Sequence, residues 1–351
     1  MSSASGIEHV ATVSCPSGIL LILDGAQAWM WSHDRPPLLP AWSGIAEIAN
    51  SALDLVIRGP DALVAGQAFD RSTHPLYLFD QPRDDLPALE LAFDNLVRER
   101  KLNASLEVLA ERISHRRRVE LALVMSGGAG AVEFHRVPAV AVGSVPDDRV
   151  FPIFGEWMPS GPDDGRWRRV WIELREGAVA STRRIGEVYI DEARFMAVDA
   201  DALAAWDNLN TRDGKADIVF WGRDAALVAR DIGANPVDDG VGAEVFGWTD
   251  LPLQEALGLT RRIDAIHTGE HRFAFDFRPH THHWQVMRDV RATMTQSGVL
   301  DLAGARLCMF MTTWGDGVFP VEVDLDVRRQ ILRVRIEVGC DETVNTQRAF
   351  E

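Results

Sequence analysis

The sequence predicts an α+β fold with mostly antiparallel sheets, several helices and two domains. Helical and strand-like segments are mixed without a regular βαβ alternation. Hydrophobic residues make up 46% of the 351 residues, which is enough for sizeable cores. The densest loop signature is Pro-Ser-Gly-Pro-Asp-Asp-Gly at Pro159 to Gly165. It predicts a boundary between an N-terminal α+β domain, residues 1–160, and a C-terminal α+β domain, residues 161–351.

The first half contains a short buried strand that ends at the turn Asp24-Gly25. A helix is predicted from Asp84 or Asp85, and its apolar face is formed by Leu89, Phe93, Leu96 and Val97. A second helix is expected after Asn103, with a buried stripe of Leu106, Leu109 and Ile113. The apolar run 119–125 is then interpreted as a buried strand.

The second half is expected to contain strands at 168–174, 187–190 and 216–221, and a helix that ends at Gly233. Residues 318–325 and 331–338 are predicted to form a hairpin around Asp326. No long internal repeat is evident. The one echo is Ser-Gly-Ile-Leu at residues 17–20 and Ser-Gly-Val-Leu at residues 297–300.

Composition limits the classes of function. The chain has 36 basic and 52 acidic residues, a formal charge of −16. This balance argues against binding to a nucleic-acid backbone and favours a basic protein partner. The cysteines Cys15, Cys308 and Cys340 lack metal-type spacing. Neither a secretion signal nor a stretch long enough to span a bilayer is apparent, so a cytoplasmic protein without a membrane role is expected.

Histidines cluster late in the chain: five of the ten lie at His267, His271, His280, His282 and His283. If residues 280–282 were a strand, His280 and His282 would share a face, and Asp276 or Asp289 could complete a zinc or iron site. His283 is a further candidate ligand. The alternative is a polar turn after Pro279, in which these side chains bind backbone groups and one another.

A second candidate site is Trp-Gly-Asp-Gly-Val-Phe-Pro-Val at residues 314–321. Glycines on both sides of Asp316 favour a tight turn that directs the following strand. Alternatively, Asp316 lies beside Trp314 at the rim of a pocket. Eleven tryptophans against two tyrosines also favour a protein interface, because tryptophan is enriched among the residues that dominate binding energy.

The segments 186–199, 220–224, 297–298 and 314–321 together resemble an uncharacterised bacterial domain family that ends in a Gly-Asp-Gly-aromatic-Pro-Val strand followed by a hairpin. Some members are associated with immunity functions in polymorphic toxin systems. The resemblance covers residues 185–340 at most, it excludes the histidine cluster, and it implies no catalytic residues.

Three hypotheses follow. The leading one is a cytoplasmic protein-binding protein, in the form of an immunity protein that neutralises a toxin. The second is a metal-dependent hydrolase or oxygenase that uses the histidines at 280–283, in which a bound metal activates water or substrate. The third is a structural or scaffolding protein, in which the turns serve the fold alone.

Overall fold

The structure is a computed structural model that describes residues 6–31, 52–69, 75–134, 137–158, 165–208, 210–238, 244–267 and 271–339. Its strands, in chain order, are β1 (Ile7–Ser14), β2 (Leu20–Asp24), β3 (Leu53–Arg58), β4 (Tyr77–Gln81), β5 (Ser105–Val108), β6 (Ala129–Phe134), β7 (Val137–Val142), β8 (Val150–Trp157), β9 (Trp167–Glu173), β10 (Ser181–Ile190), β11 (Arg194–Asp199), β12 (Lys215–Trp221), β13 (Asn235–Val237), β14 (Val245–Pro252), β15 (Ala274–Pro279), β16 (Ser297–Leu302), β17 (Ala305–Met311), β18 (Gly317–Leu325) and β19 (Ile331–Glu337). The α-helices are α1 (Ala62–Phe69), α2 (Leu86–Arg100), α3 (His115–Met125), α4 (Ala200–Ala204), α5 (Ala225–Ile232), α6 (Leu253–His267) and α7 (His282–Ala292). The predicted α+β class is confirmed.

Two six-stranded antiparallel sheets form a sandwich. Sheet A has the order β1-β8-β9-β19-β18-β10, and sheet B has the order β16-β17-β11-β2-β7-β6. The inward side chains of both sheets form the largest core, which includes Phe151, Phe195 and Phe319. On its other side, sheet B packs against α3, α4 and α7 through a second core around Trp31 and Trp206. Each layer thus buries its apolar face against the next.

Two smaller units, which we call arms, are inserted into the sandwich. The first arm is β3-α1-β4-α2-β5, with a three-stranded sheet of order β4-β3-β5 and a small core around Phe93. The second arm is β12-α5-β13-β14-α6-β15, with a four-stranded sheet of order β13-β14-β12-β15 and a core around Phe220. On the predicted apolar face of α2, Phe93 is fully buried, and Leu89, Leu96 and Val97 are half-buried.

The order and pairing of the sandwich strands show an internal duplication of the chain. Residues up to β9 form a first repeat and residues from β10 a second, and each repeat contributes three adjacent strands to sheet A and three to sheet B. Each repeat also carries one arm between its second sandwich strand and a helix, α3 or α7. Local detail matches as well. The first and second repeats have a bulge at the same point of their first strand, Val10 in β1 and Ile185 in β10.

The duplication is visible in the sequence once the strands are aligned. Asp-Leu-Val-Ile-Arg-Gly-Pro-Asp-Ala at residues 54–62 corresponds to Asp-Ile-Val-Phe-Trp-Gly-Arg-Asp-Ala at residues 217–225. Val-Phe-Pro-Ile at 150–153 corresponds to Val-Phe-Pro-Val at 318–321, and Arg-Val-Trp-Ile-Glu at 169–173 corresponds to Arg-Val-Arg-Ile-Glu at 333–337. The expectation of no long repeat is therefore wrong.

The repeated aspartates hold each arm in the same way. Asp54 accepts a hydrogen bond from the Asp80 amide at 2.9 Å, and Asp217 accepts one from the Asp250 amide at 2.8 Å. Asp80 and Asp250 both have left-handed backbones, with φ of 52° and 57°. A buried carboxylate therefore fixes an unusual turn at the same point of both arms.

The repeats interlock through loops. The carboxylate of Asp24, at the end of β2, accepts the Asp191 amide of the second repeat at 2.8 Å. The carboxylate of Asp199, at the end of β11, accepts the Ser17 amide of the first repeat at 2.7 Å. Both carboxylates are buried, and burial raises the pKa of Asp24. Each repeat thus supplies acceptors for backbone donors of the other.

These contacts bear on the predicted domains. Strands β8 and β9, on either side of residue 160, are hydrogen-bonded neighbours in sheet A. The proposed boundary between residues 1–160 and 161–351 therefore falls inside a hairpin, whereas the repeats meet after β9, at residues 174–180. Residues 159–164 of the predicted boundary loop lie outside the described residues, as does Cys340.

Two local predictions are wrong and the hairpin is confirmed. The expected helix after Asn103 is strand β5, and the expected strand 119–125 is part of helix α3, which Ser114 caps by accepting the Arg117 amide. Short apolar runs do not distinguish a buried strand from a helix packed on a sheet. The hairpin around Asp326 forms as predicted, because β18 pairs with β19.

We expect neither repeat to fold as a monomer, because each would expose the edges of half-sheets and an open core. Residues 1–176 and 177–351 expressed separately should lack a cooperative thermal transition as monomers, whereas coexpressed halves should copurify. Circular dichroism and size-exclusion chromatography measure both outcomes. A folded monomer of either half would contradict this prediction.

Removing the arginine that binds Asp54 should strongly destabilise the fold. Arg118 of α3 is 1% exposed and donates to Asp54 at 3.0 Å and also to Asp80. Arg118→Ala should lower the free energy of unfolding by about 3–5 kcal/mol, because the buried carboxylate of Asp54 loses its counter-charge and Asp80 keeps only Arg112. The matched control is Arg117→Ala on the same helix, whose guanidinium is exposed and should cost less than about 1 kcal/mol. Urea unfolding compares the two, and equal losses would contradict the prediction.

Candidate functional site

The candidate histidines bind different partners. His280 follows β15 and is buried, with Nδ1 2.8 Å from Asp213 Oδ2 and Nε2 3.0 Å from Asp217 Oδ1. Its ring stacks on Trp284 at 3.7 Å between centroids, and the indole Nε1 donates to Asp217 Oδ2 at 2.8 Å. His280 and Trp284 therefore attach the second arm to α7, as Arg118 attaches the first arm to α3.

His282 and His283 are held as neutral rings. Nδ1 of His282 accepts the Asp207 amide at 3.0 Å, and burial lowers its pKa. Nε2 of His283 lies 3.2 Å from the Arg194 guanidinium and accepts from it. Burial, followed by the charges of Arg194 and Arg291, lowers the pKa of His283 to about 3. Both rings thus serve as acceptors inside the fold.

The strand geometry assumed for the metal hypothesis is wrong at this point. Thr281 caps helix α7, which begins at His282, so His280 and His282 do not alternate along one strand. Asp276 binds Arg278 at 2.7 Å, and Asp289 lies 3.7 Å from Arg288. Among the described residues, no group of three or more histidine, cysteine or acidic side chains could hold a metal ion.

The Gly-Asp-Gly turn is built into the sandwich. Trp314 is 5% exposed and donates from Nε1 to the Trp167 carbonyl at 2.7 Å. Oδ1 of Asp316 accepts the Ala193 amide at 2.9 Å, which ties the turn to the loop before β11. These bonds direct β18, the role expected of a structural turn.

A cavity lies elsewhere, where α3 meets α4. It has a volume of about 380 Å³ and is lined by Leu21, Trp31, Ser114, His115, Arg116, Val119, Ala200, Asp201, Leu203 and Ala204. Arg116 is already paired with Asp201 at 2.6 Å and Glu120 at 3.2 Å. Neither Trp314 nor Asp316 lines this cavity.

The outer face of sheet A, formed by the side chains that point away from sheet B, presents the remaining candidate site. None of the hydrophobic clusters of the described residues includes a side chain of this face. A central row crosses all six strands, and strand pairing places its members side by side as His9, Phe154, Trp171, Arg335, Glu322 and Arg184. One sheet of a sandwich commonly leaves such a face to solvent.

The central row breaks the internal symmetry. Under the duplication, His9 corresponds to Arg184, Phe154 to Glu322, and Trp171 to Arg335. The first repeat therefore contributes three rings and the second three charged groups. The flanking rows on either side stay alike: strand pairing places Arg169 between Glu156 and Glu337, and its counterpart Arg333 between Asp324 and Glu173. Arg169 pairs with Glu156 at 3.0 Å, and Arg333 pairs with Glu173 at 3.1 Å.

Carboxylates are in excess on this face. Arg335 alone contacts three of them: Glu322, Asp324 at 3.1 Å and Glu337 at 3.2 Å. Sequence reasoning missed this site, although Arg-Val-Trp-Ile-Glu at 169–173 and Arg-Val-Arg-Ile-Glu at 333–337 were the available signal. Across the three rows, the arginines are outnumbered by Glu156, Glu173, Glu187, Glu322, Asp324 and Glu337.

No protein-family model, no curated protein and no solved structure matches the chain. None of the helices in the described part of the chain is long and apolar enough to cross a membrane.

The neutral histidines predict a pH dependence of stability. Between about pH 6.5 and pH 3, unfolding lets His283 take up a proton that its folded environment excludes, so stability should fall as pH falls. His283→Gln keeps an acceptor for Arg194 and should flatten the slope by up to about 1.4 kcal/mol per pH unit. Chemical unfolding at pH 7, 6 and 5 measures the slope. An unchanged slope in His283→Gln would contradict the assignment.

Proposed function

We propose that this chain is a cytoplasmic protein-binding protein whose partner is basic, and that it acts as an immunity protein that neutralises a toxin. Neutralisation then consists of covering the basic surface with which the toxin engages its own target. The chain needs no catalytic group for this, only a surface of matching shape and charge.

The observation that carries the proposal is the outer face of sheet A. Carboxylates outnumber arginines there, and half of the central row is aromatic. Charges steer a basic partner to the surface, whereas aromatic side chains contribute contact area once water is displaced. A face built only for solubility requires the charges and has no use for the rings.

Two further observations support a basic partner. The formal charge of −16 attracts cationic proteins at long range. The Gly-Asp-Gly-Val-Phe-Pro-Val element at 315–321 resembles a family that has immunity members. This resemblance is the reason why the proposed binding protein is an immunity protein.

No observation of comparable weight favours the other two hypotheses. The metal-dependent enzyme would need His280, His282 and His283 to leave their present partners. A purely scaffolding role gives no reason for the aromatic half of the central row.

The proposal is tested by coexpressing the full chain with candidate basic toxins and measuring growth rescue and complex formation. We expect a stable complex whose association rate falls on the order of tenfold or more between low and high salt, because long-range attraction is screened. Size-exclusion chromatography and surface plasmon resonance provide the two measurements.

An acidic protein of similar size serves as the control and should not bind. Failure to form a complex with any basic toxin, at both low and moderate salt, would contradict the proposal. A complex that forms without growth rescue would support protein binding and reject the immunity role.

A further inference from the structure

The central row allows the residues of the first repeat to be compared with those at the equivalent positions of the second repeat. Phe154 and Trp171 stand at the same backbone positions as Glu322 and Arg335 of the other repeat. Because the second repeat forms the same strands with charged residues there, the fold does not require rings at these positions. Their presence in one repeat alone needs a reason outside the stability of the sheet.

The three rings form a continuous strip. His9 meets Phe154 edge to face at 5.8 Å between centroids, and Phe154 lies 5.8 Å from Trp171. His9 is exposed, whereas Phe154 and Trp171 are half-buried. We call these residues the aromatic strip. It crosses β1, β8 and β9, and its exposure to solvent is greatest at His9.

The strip ends beside Arg335, which is in contact with three carboxylates. Arg335 is directly opposite Trp171, and its single positive charge faces Glu322, Asp324 and Glu337. Thr182 donates to Asp324 at 2.8 Å, but a hydroxyl brings no charge. The side chains of Glu322 and Glu337 are 26% and 20% exposed, so their charges are only partly screened by water. A ring beside excess carboxylate favours a cation on the ring face.

We infer that the basic partner docks on the aromatic strip and places an arginine or lysine side chain on the ring of Trp171, next to the carboxylates around Arg335. This inference rests on the proposed function and specifies where the partner is held. Phe154 and His9 extend the contact along the strip, and the ion pairs of the flanking rows form its polar rim.

The inference is tested with the double variant Phe154→Glu/Trp171→Arg, which installs the residues of the second repeat in the first. One acidic and one basic residue are added, so the formal charge is unchanged and long-range attraction is preserved. The probe is a fluorescent peptide of alternating arginine and glycine, and its binding to the full chain is followed by anisotropy. We expect the double variant to bind about tenfold or more weakly, as for loss of a central aromatic contact.

A matched control is available on the same face of the second repeat. Tyr189 on β10 is 53% exposed and lies outside the strip, so Tyr189→Ser removes an exposed ring while leaving the strip intact. Its affinity for the peptide should stay within about twofold of wild type, since exposed residues outside a contact contribute little. Thermal unfolding by circular dichroism verifies that both variants are folded. If the double variant is unfolded, Trp171→Leu and Phe154→Leu, which keep an apolar side chain, replace it with the same expected loss.

The outcomes separate the two proposals. Wild-type binding that is lost in the folded strip variant and kept in Tyr189→Ser supports docking on the strip. Wild-type binding that is equal in all variants overturns the docking site and leaves the proposed function standing. An absence of wild-type binding to both the peptide and the basic toxins overturns both.

Discussion

The pairing of strands across the two repeats is the constraint on which the rest of the structure depends. β2 pairs with β11 at the middle of sheet B, and β9 pairs with β19 at the middle of sheet A. Each repeat alone has two half-sheets whose central edges are open, and these edges are closed only by the other repeat. Backbone hydrogen bonds and burial of the common core therefore act together. The loops that carry Asp24 and Asp199 reinforce the pairing with buried hydrogen bonds.

Once the sandwich is fixed, the two repeats can differ where they do not touch each other. The arms show this. Both keep an aspartate on their first strand, but Asp54 meets the guanidinium of Arg118, while Asp217 meets the imidazole of His280 and the indole of Trp284. A buried carboxylate needs hydrogen-bond donors, and the two helices supply them with different chemistry. The position of His280 is explained by this need, since His280 lies where the second arm returns to the sandwich.

The sequence predicts what depends on local pattern and misses what depends on distant partners. The hairpin around Asp326 and the C-terminal glycine of α5, Gly233, follow from turn chemistry and are confirmed. Residues 119–125 are helical although their pattern predicts a strand, because an apolar run fits both a buried strand and a helix packed against a sheet. The partners of His280 lie more than sixty residues away, at Asp213 and Asp217, and no local spacing indicates them. The repeat gives only a weak sequence signal, because its matching segments are short and are separated by arms of different length. The central row of sheet A was hidden for the same reason, since it joins six strands from both ends of the chain.

The pair Trp171 and Arg335 lies where the symmetry axis between the repeats crosses sheet A, so each is the counterpart of the other. In a homodimer of this topology, one residue would face its own copy across the axis, and an arginine there would confront an arginine at a cost in stability. A single chain that contains both repeats is free of that requirement, because each of the two positions is encoded separately. The molecule can therefore place a ring and a cation where a symmetric assembly must repeat itself. The two halves of this face therefore differ, and each chain carries one aromatic strip rather than two.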